Sequence, residues 1–419
     1  MKKRNHNLIL VFLLISLGTY AQTPFGVNLA GAEFGSNMPG TFNSDYTYPT
    51  ANELDYYQSK NLNLIRLPFR WERIQPILNG SLDSNELMRI KNFLQLANNR
   101  NMEVIIDLHN YCRYKINGTY EIIGSNNLSI ANITDLWTKL SLELKNEPNI
   151  WGYGIMNEPH DLLPNASWFD IAQSIINGIR TNDQNTTIVV GGDSWSSAAR
   201  WLTYSDNLKN LVDSSNNIIY EAHVYFDDDA SGLYNDNYHN EGAYPNIGID
   251  RVTPFVNWLN TNNLKGFIGE YGVPSDDSLW LVVLDNFLNH LKQNCINGTY
   301  WAGGPWWGNY ILSIEPNNNV DKPQMSILQN HITTNSNCST LNVSSIRSPL
   351  EFYTYPNPFI DFIHIDGINN GEILYIYDIS GRLITKRVLK NSRVENLGEL
   401  KSGVYLIKSV NKFIARIIK

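Results

Sequence analysis

The 419-residue chain is 42% hydrophobic and 17% charged, the proportions of a folded globular protein without the charge excess of a disordered one. Its formal charge of −8 becomes −11 without Lys2, Lys3 and Arg4, and residues 22–348 hold −14, which argues against nucleic acid as a ligand and suits a neutral polymer. Three cysteines permit at most one bridge; their spacing is not that of a zinc site, and Cys295 with Cys338 is the least disruptive pairing because Cys112 lies beside a site motif.

Residues 1–21 open with the basic MKKRNHN, continue through the apolar LILVFLLISLGTYA, and place small Thr19 and Ala21 before a cut that leaves Gln22 first, the pattern of a signal peptide. The run is too short and too weakly flanked for a stable membrane span, an uncleaved anchor being the alternative, and no later segment could span. From residue 25 to about 330, strand and helix signals alternate, as in a parallel sheet with crossover helices. Asp83 or Ser84 caps a helix with Leu87, Ile90, Leu94 and Ala97 on one face, and the strand MEVIIDLH follows. Ile133, Leu136, Leu140 and Leu144 form a second stripe, closed by Glu147-Pro148 ahead of WGYGIM. Phe169, Ala172, Ile175, Ile176 and Ile179 form a third ahead of TTIVVGG. With FGVNLA, LNLIRLP, NIIYEAHVY, KGFIGE and GTYWAGG there are eight candidate strands, the number of an α/β (β/α)8 TIM barrel over residues 22–332. A doubly wound open sheet is the alternative, but GVNLAGAEFG lacks the glycine spacing of a nucleotide turn.

Residues 333–348 are polar, rich in Ser, Asn and Thr, and without period, as expected of a linker. Residues 349–419 break into short strands, FIHIDGI, ILYIYDISGRLI and VYLIKSVNKFIARIIK, and read as a small all-β, sandwich-like domain. A carbohydrate-binding sandwich is the alternative, but this segment has no exposed aromatic row and carries 10 basic against 7 acidic residues.

WGYGIMNEPH, residues 151–160, leaves Glu158 at the tip of a buried strand, and GFIGEYG, residues 266–272, repeats the arrangement with Glu270, 112 positions later. Barrel enzymes keep their catalytic groups at the carboxyl ends of the strands. One such Glu is as easily a rim residue; two in matching context point to glycoside hydrolysis, in which a protonated carboxyl donates to the leaving oxygen and an ionised one acts on the anomeric carbon. Arg66 ends LNLIRLP and would favour an ionised Glu270 where their strand ends meet, its alternative being a rim salt bridge. His109, Asn110, His223 and Tyr225 end other strands, placed to bind a sugar hydroxyl or to orient the carboxylates, and Asn157 is placed for the hydroxyl next to the reacting carbon. Trp301, Trp306 and Trp307 offer a stacking platform for pyranose rings, with Trp195 a similar candidate; a Trp-rich core edge is the bland reading. His109, His160 and His223 are not at metalloprotease spacing, Asp227-Asp228-Asp229 with Gly232 does not fit a calcium loop, and neither a GxSxG elbow nor a P-loop occurs.

GVNLAGAEF, Arg66, IIDLHNYCRY, IMNEPH, VGGDSWSSAARW, EAHVYFDDDASG, IGEYG and YWAGGPWWGNYILSIEP stand in the order of glycoside hydrolase family five, and residues 24–330 resemble its fungal-type endoglucanase subfamily. The resemblance implies Glu158 as acid/base, Glu270 as nucleophile, and Arg66, His109, Asn157, His223, Tyr225 and Trp301 as the remaining site positions. It further implies retention of configuration, with carboxyls about 5–5.5 Å apart, no cofactor or metal, and a β-1,4-glucan substrate for a monomeric enzyme. A β-mannanase or xyloglucan-active enzyme shares this machinery, whereas a non-catalytic glycan-binding protein or an adhesin leaves the paired Glu unexplained. Cys112 departs from the family, where Gly is common. The tail, with YPNPF at 355–359, DISGRLI at 378–384 and LKSGVYLIKS, resembles the C-terminal sorting domain of the type IX secretion system of Bacteroidetes, which implies secretion or attachment at the cell surface.

Overall fold

Eight parallel strands close into a barrel in the computed structural model, which describes residues 25–332, 353–366, 370–378, 382–409 and 413–419. The expected signal peptide and linker, and Cys338, lie outside the described residues. We number the barrel strands β1 (Gly26–Leu29), β2 (Leu64–Phe69), β3 (Glu103–Leu108), β4 (Ile150–Gly154), β5 (Thr187–Gly191), β6 (Ile218–His223), β7 (Gly266–Tyr271) and β8 (Asn297–Gly303). Each pairs with its sequence neighbour, and β8 returns to β1. Strands covered on both faces read as continuous apolar runs, which is why the sequence betrays them.

The crossover helices bury the expected stripes. Asp83 caps Ser84–Asn98, its Oδ1 accepting from the Asn85 and Glu86 amides at 3.0 and 2.9 Å. Ile90, Leu94 and Ala97 are buried, and Leu87 packs at the edge. The helix Ile130–Leu144 buries Ile133, Leu136, Leu140 and Leu144, and it stops three residues before Glu147 because a helix runs out ahead of Pro148. The helix Trp168–Arg180 buries Ala172, Ile175, Ile176 and Ile179. A hairpin, Arg113–Ile116 with Thr119–Ile122, is added after β3; its Asn117-Gly118 turn has φ of 48° and 86°, the left-handed pair such a two-residue turn needs.

The chain divides into two compact units between Leu341 and Asn342. The second holds a three-stranded and a four-stranded antiparallel sheet around Phe359, Ile363, Leu374, Ile376, Val394, Ile407 and Ile417. In Ile373–Asp378, Leu374 and Ile376 are buried while Ile373 is exposed, the period-two alternation of a half-covered strand. Cys295 is disulfide-bonded, and Cys112 is free and buried. Among the described residues no helix is long and apolar enough to cross a membrane.

Candidate active site

Strand register brings the tips together. Asn28 stands beside Arg66 across β1 and β2, and His223 beside Glu270 across β6 and β7. Arg66, with no exposed surface, places its Nη1 3.0 Å from Glu270 Oε1 and its Nη2 2.6 Å from Asn157 Oδ1. It also forms ion pairs with Asp107 Oδ1 and Glu221 Oε1, each at 2.9 Å. A guanidinium shared among three carboxylates needs the fork geometry that only arginine supplies.

His223 bridges the paired Glu. Its Nδ1 lies 2.7 Å from Glu158 Oε1 and 3.6 Å from Glu270 Oε2, and its Nε2 lies 3.2 Å from Glu221 Oε1. Burial pulls this imidazole down, but Glu270, Glu158 and Glu221 outweigh it and push its pKa up to about 10, so both ring nitrogens carry protons at neutral pH. Glu221 is held below the usual carboxylate range, its burial outweighed by Arg66 and His223. The space for Glu221 comes from Gly269, where a Cβ would fall 1.7 Å from Glu221 Oε1.

Tyr225, just past β6, donates its hydroxyl to Glu270 Oε2 at 2.8 Å. Burial raises the Glu270 carboxyl, against the pull of His223 and Arg66. Glu158 lies on the turn after β4 with φ of 43°, a left-handed conformation that costs a Glu roughly 1–3 kcal/mol and turns its side chain toward His223. One carboxyl oxygen of Glu158, one of Glu270 and a His223 nitrogen lie within 4.8 Å of one another. That trio has the spacing of a metal site, but His223 already gives its Nδ1 to Glu158 and its Nε2 to Glu221, and Glu270 is paired with Arg66.

His109 Nδ1 faces Asp107 Oδ2 at 2.8 Å, and its Nε2 faces Asn157 Nδ2 at 3.3 Å. Burial drives the His109 pKa well down, so the ring is neutral, with Nδ1–H donating to Asp107 and Nε2 accepting from Asn157. Trp301 stacks parallel to His109 at 5.5 Å and 10°. Trp307 packs edge-on beneath Trp301 at 5.8 Å and donates to Gly303 O, which makes it a support for the platform. Trp306 is 42% exposed. Trp195 is 38% exposed and stands on a stretch in which Ser194, Trp195 and Ser196 all have positive φ; its ring stacks on His160 at 4.3 Å. It lines a cavity of about 330 Å³ with Glu158, His223, Tyr225, Asp229 and Arg251.

Asn110, expected to bind or support the substrate, is fully buried: its Oδ1 accepts from the Trp71 amide at 2.8 Å, and its Nδ2 donates to Glu72 Oε2 at 2.8 Å and Arg113 O at 3.0 Å. The reason is the alternation of side chains along an extended segment, which sends Asp107 and His109 inward and Asn110 outward into the loop. Cys112 has φ of 58°, a conformation natural to glycine, and its amide donates to Met156 Sδ at 3.1 Å. Asp107, Glu221 and Asn28, which the motif reading passed over, complete the network. Asp107-x-His109 and Glu221-x-His223 share one spacing that could have revealed them, because residues two apart in a strand face the same way.

A family model described as cellulase (glycosyl hydrolase family 5) matches residues 23–306, and one described as secretion system C-terminal sorting domain matches residues 353–418. Endo-beta-1,4-glucanase B of Aspergillus niger is 34% identical over 296 residues, 70% of this chain and 85% of its own. The crystal structure of a Pseudomonas stutzeri endoglucanase in complex with cellobiose is 39% identical with a TM-score of 0.71, covering 75% of this chain and 93% of that one. An endo-beta-1,4-glucanase of Xanthomonas axonopodis pv. citri is 35% identical with a TM-score of 0.68, over 74% of this chain and 98% of its own. With a family model matched over residues 23–306 and relatives at this identity and coverage, the chain belongs to glycosyl hydrolase family 5 and carries a C-terminal secretion sorting domain.

Proposed function

We propose that the protein is an exported, retaining endo-β-1,4-glucanase in which Glu270 is the nucleophile and Glu158 the acid/base. The observation that carries this reading is the approach of a Glu158 oxygen and a Glu270 oxygen to within 4.8 Å, with Arg66 and Tyr225 hydrogen-bonded to Glu270 and not to Glu158. Retaining glycosidases hold their carboxyls about 5–5.5 Å apart, and inverting ones leave room for a water, at about 6.5–9.5 Å.

In the first step Glu270 attacks the anomeric carbon, the glycosidic bond breaks, and Glu158 gives its proton to the departing oxygen. The product is a glycosyl ester on Glu270. In the second step Glu158, now a carboxylate, takes a proton from water as that water attacks the same carbon, and the ester bond breaks to return Glu270. One water is consumed and the β configuration is restored. Arg66 and Tyr225 hold both Glu270 oxygens in the attack geometry and stabilise the carboxylate as it leaves. Asn157 retains an amide hydrogen beyond its bond to His109, available to the neighbouring sugar hydroxyl.

The reading extends to the whole chain, with residues 1–21 as signal peptide, 22–332 as catalytic domain, 333–348 as linker and 349–419 as a type IX sorting domain that delivers a monomeric enzyme to the cell surface or medium. Turnover is to be compared on carboxymethylcellulose, glucomannan and mannan with product sizing. Internal cleavage of carboxymethylcellulose to short oligosaccharides is expected, and a preference for pure mannan contradicts the glucanase assignment.

A further inference from the structure

Two cavities meet at Trp195. The first, described above, is the one that Glu158 and His223 line. A second, of about 490 Å³, is lined by Leu162 and Pro164 after β4 and by Asp193, Tyr204 and Asn207 after β5, and Trp195 and Arg200 line both. Each volume falls in the range of about 300–1,000 Å³ that small-molecule sites occupy. The wall between them is held firmly. Ser194, Trp195 and Ser196 have φ of 58°, 58° and 53°, three left-handed residues in succession, a conformation costly for anything but glycine and one that persists where the surroundings over-determine it. Here they do. Trp195 N–H donates to Pro159 O at 3.1 Å, its ring stacks on His160 at 4.3 Å, and the Arg200 guanidinium lies 5.4 Å from the ring centroid. Asp193 N–H donates to Ser205 Oγ at 2.9 Å, at the end of the short helix Trp201–Tyr204. The wall is thus fastened to the turn that carries Glu158.

The direction of the chain follows from the chemistry. Glu158 protonates the departing oxygen, so the unit that leaves lies in the first cavity and the rest of its chain runs on from there. The second cavity, sharing Trp195 and Arg200 with the first, is within reach of that chain. Its lining suits a sugar. A pyranose has an apolar face and a rim of hydroxyls, and the cavity sets the exposed rings of Trp195 and Tyr204, the latter 51% exposed, beside the polar Asp193, Arg200 and Asn207. Asp161 and Asp193 against the single Arg200 leave no excess of positive charge, which favours a neutral sugar over an acidic one.

We propose that the second cavity binds a glucosyl unit further along the departing chain, with the Tyr204 ring as its stacking surface and Asp193, Arg200 and Asn207 as partners for its hydroxyls; the inference rests on the glucanase reading above. The enzyme's hold on its polymer then extends beyond the unit that leaves. Such a hold favours cleavage inside a chain over release of an end unit, because only an internal bond places sugar in both cavities.

The test is the ratio of kcat/KM on cellohexaose to kcat/KM on an aryl β-cellobioside, whose aryl group fills only the first cavity, for wild type, Tyr204→Ala, Asn207→Ala and Leu202→Ala. Leu202 is exposed on the same short helix and does not line the cavity. The ratio should fall roughly tenfold in Tyr204→Ala, for a lost stacking contact, and about threefold in Asn207→Ala, for a lost hydrogen bond. In Leu202→Ala it should stay within about twofold of wild type. Cellohexaose labelled at its reducing end should give shorter labelled fragments with Tyr204→Ala than with wild type. An unchanged ratio and fragment pattern in both cavity variants overturns the inference, as does an equal fall in Leu202→Ala, the mark of a disturbed helix. A fall confined to xyloglucan oligosaccharides also overturns it, because the cavity then takes a branch and not the main chain. Failure of wild type to cleave any β-1,4-glucan overturns the glucanase reading and this inference together; normal wild-type turnover with unaffected Tyr204→Ala and Asn207→Ala overturns this inference alone.

Discussion

His223 and Glu221 lie on the same face of β6, two residues apart, with Nε2 of the imidazole 3.2 Å from Glu221 Oε1. The buried Glu thereby holds a proton on the ring nitrogen remote from the substrate, which leaves Nδ1–H directed at Glu158, 2.7 Å away. Catalytic carboxylates facing each other across a small gap repel, and a cation between them relieves that repulsion.

Glu221→Gln should therefore move the basic limb of the kcat/KM profile to lower pH. In the folded protein His223 titrates at about 10, above its ordinary 6.5, so its contribution to stability is complete below about 6.5 and is lost as pH rises through about 10. Removing one of the three carboxylates that raise it narrows that window from the top. Paired pH–rate profiles and pH-dependent melting check this, and superimposable basic limbs contradict it.

The acid limb should report Glu270. Burial raises its carboxyl, and only the ionised form attacks, so kcat/KM should fall as pH drops through a value above the ordinary glutamate range. An acid limb at or below that range, on a substrate whose binding does not titrate, counts against Glu270 as the group observed.

Arg66→Met should destabilise the barrel strongly. It leaves Asp107, Glu221 and Glu270 buried without their shared cation, and breaking such a pair costs about 3–5 kcal/mol. Urea unfolding is the measurement; a loss under about 1 kcal/mol would mean that the carboxylates find protons or water instead.

Asn110→Ala separates a loop anchor from a sugar ligand. Its amide serves Trp71, Glu72 and Arg113, so the variant should lose about 1–3 kcal/mol of stability. KM should stay within about twofold of wild type, since no substrate contact is lost. A large KM effect at unchanged stability would restore Asn110 to the binding site.

What was legible in the sequence follows from where the signal is local. A strand end such as Asn157-Glu158 or Gly269-Glu270 shows itself because a carboxylate interrupts an apolar run, and the (β/α)8 count follows from strands buried on both faces. The packing beneath is not local. Glu221 sits where Gly269 has no side chain, a complementarity between strands 48 positions apart that no single segment records. Asn110 is a related case: adjacency to His109 suggests a shared site, whereas alternation sends neighbours to opposite faces. The Asn117-Gly118 hairpin was readable from its turn pair and went unread.

Azide rescue of Glu270→Gly measures whether Glu270 is the nucleophile. With an aryl β-cellobioside the variant should be nearly inactive, and added azide should restore turnover with α-cellobiosyl azide as product, because azide enters the space of the missing carboxylate on the face opposite the leaving group. Wild-type turnover without azide, or a β-azide as the rescued product, would contradict the assignment of Glu270 as nucleophile.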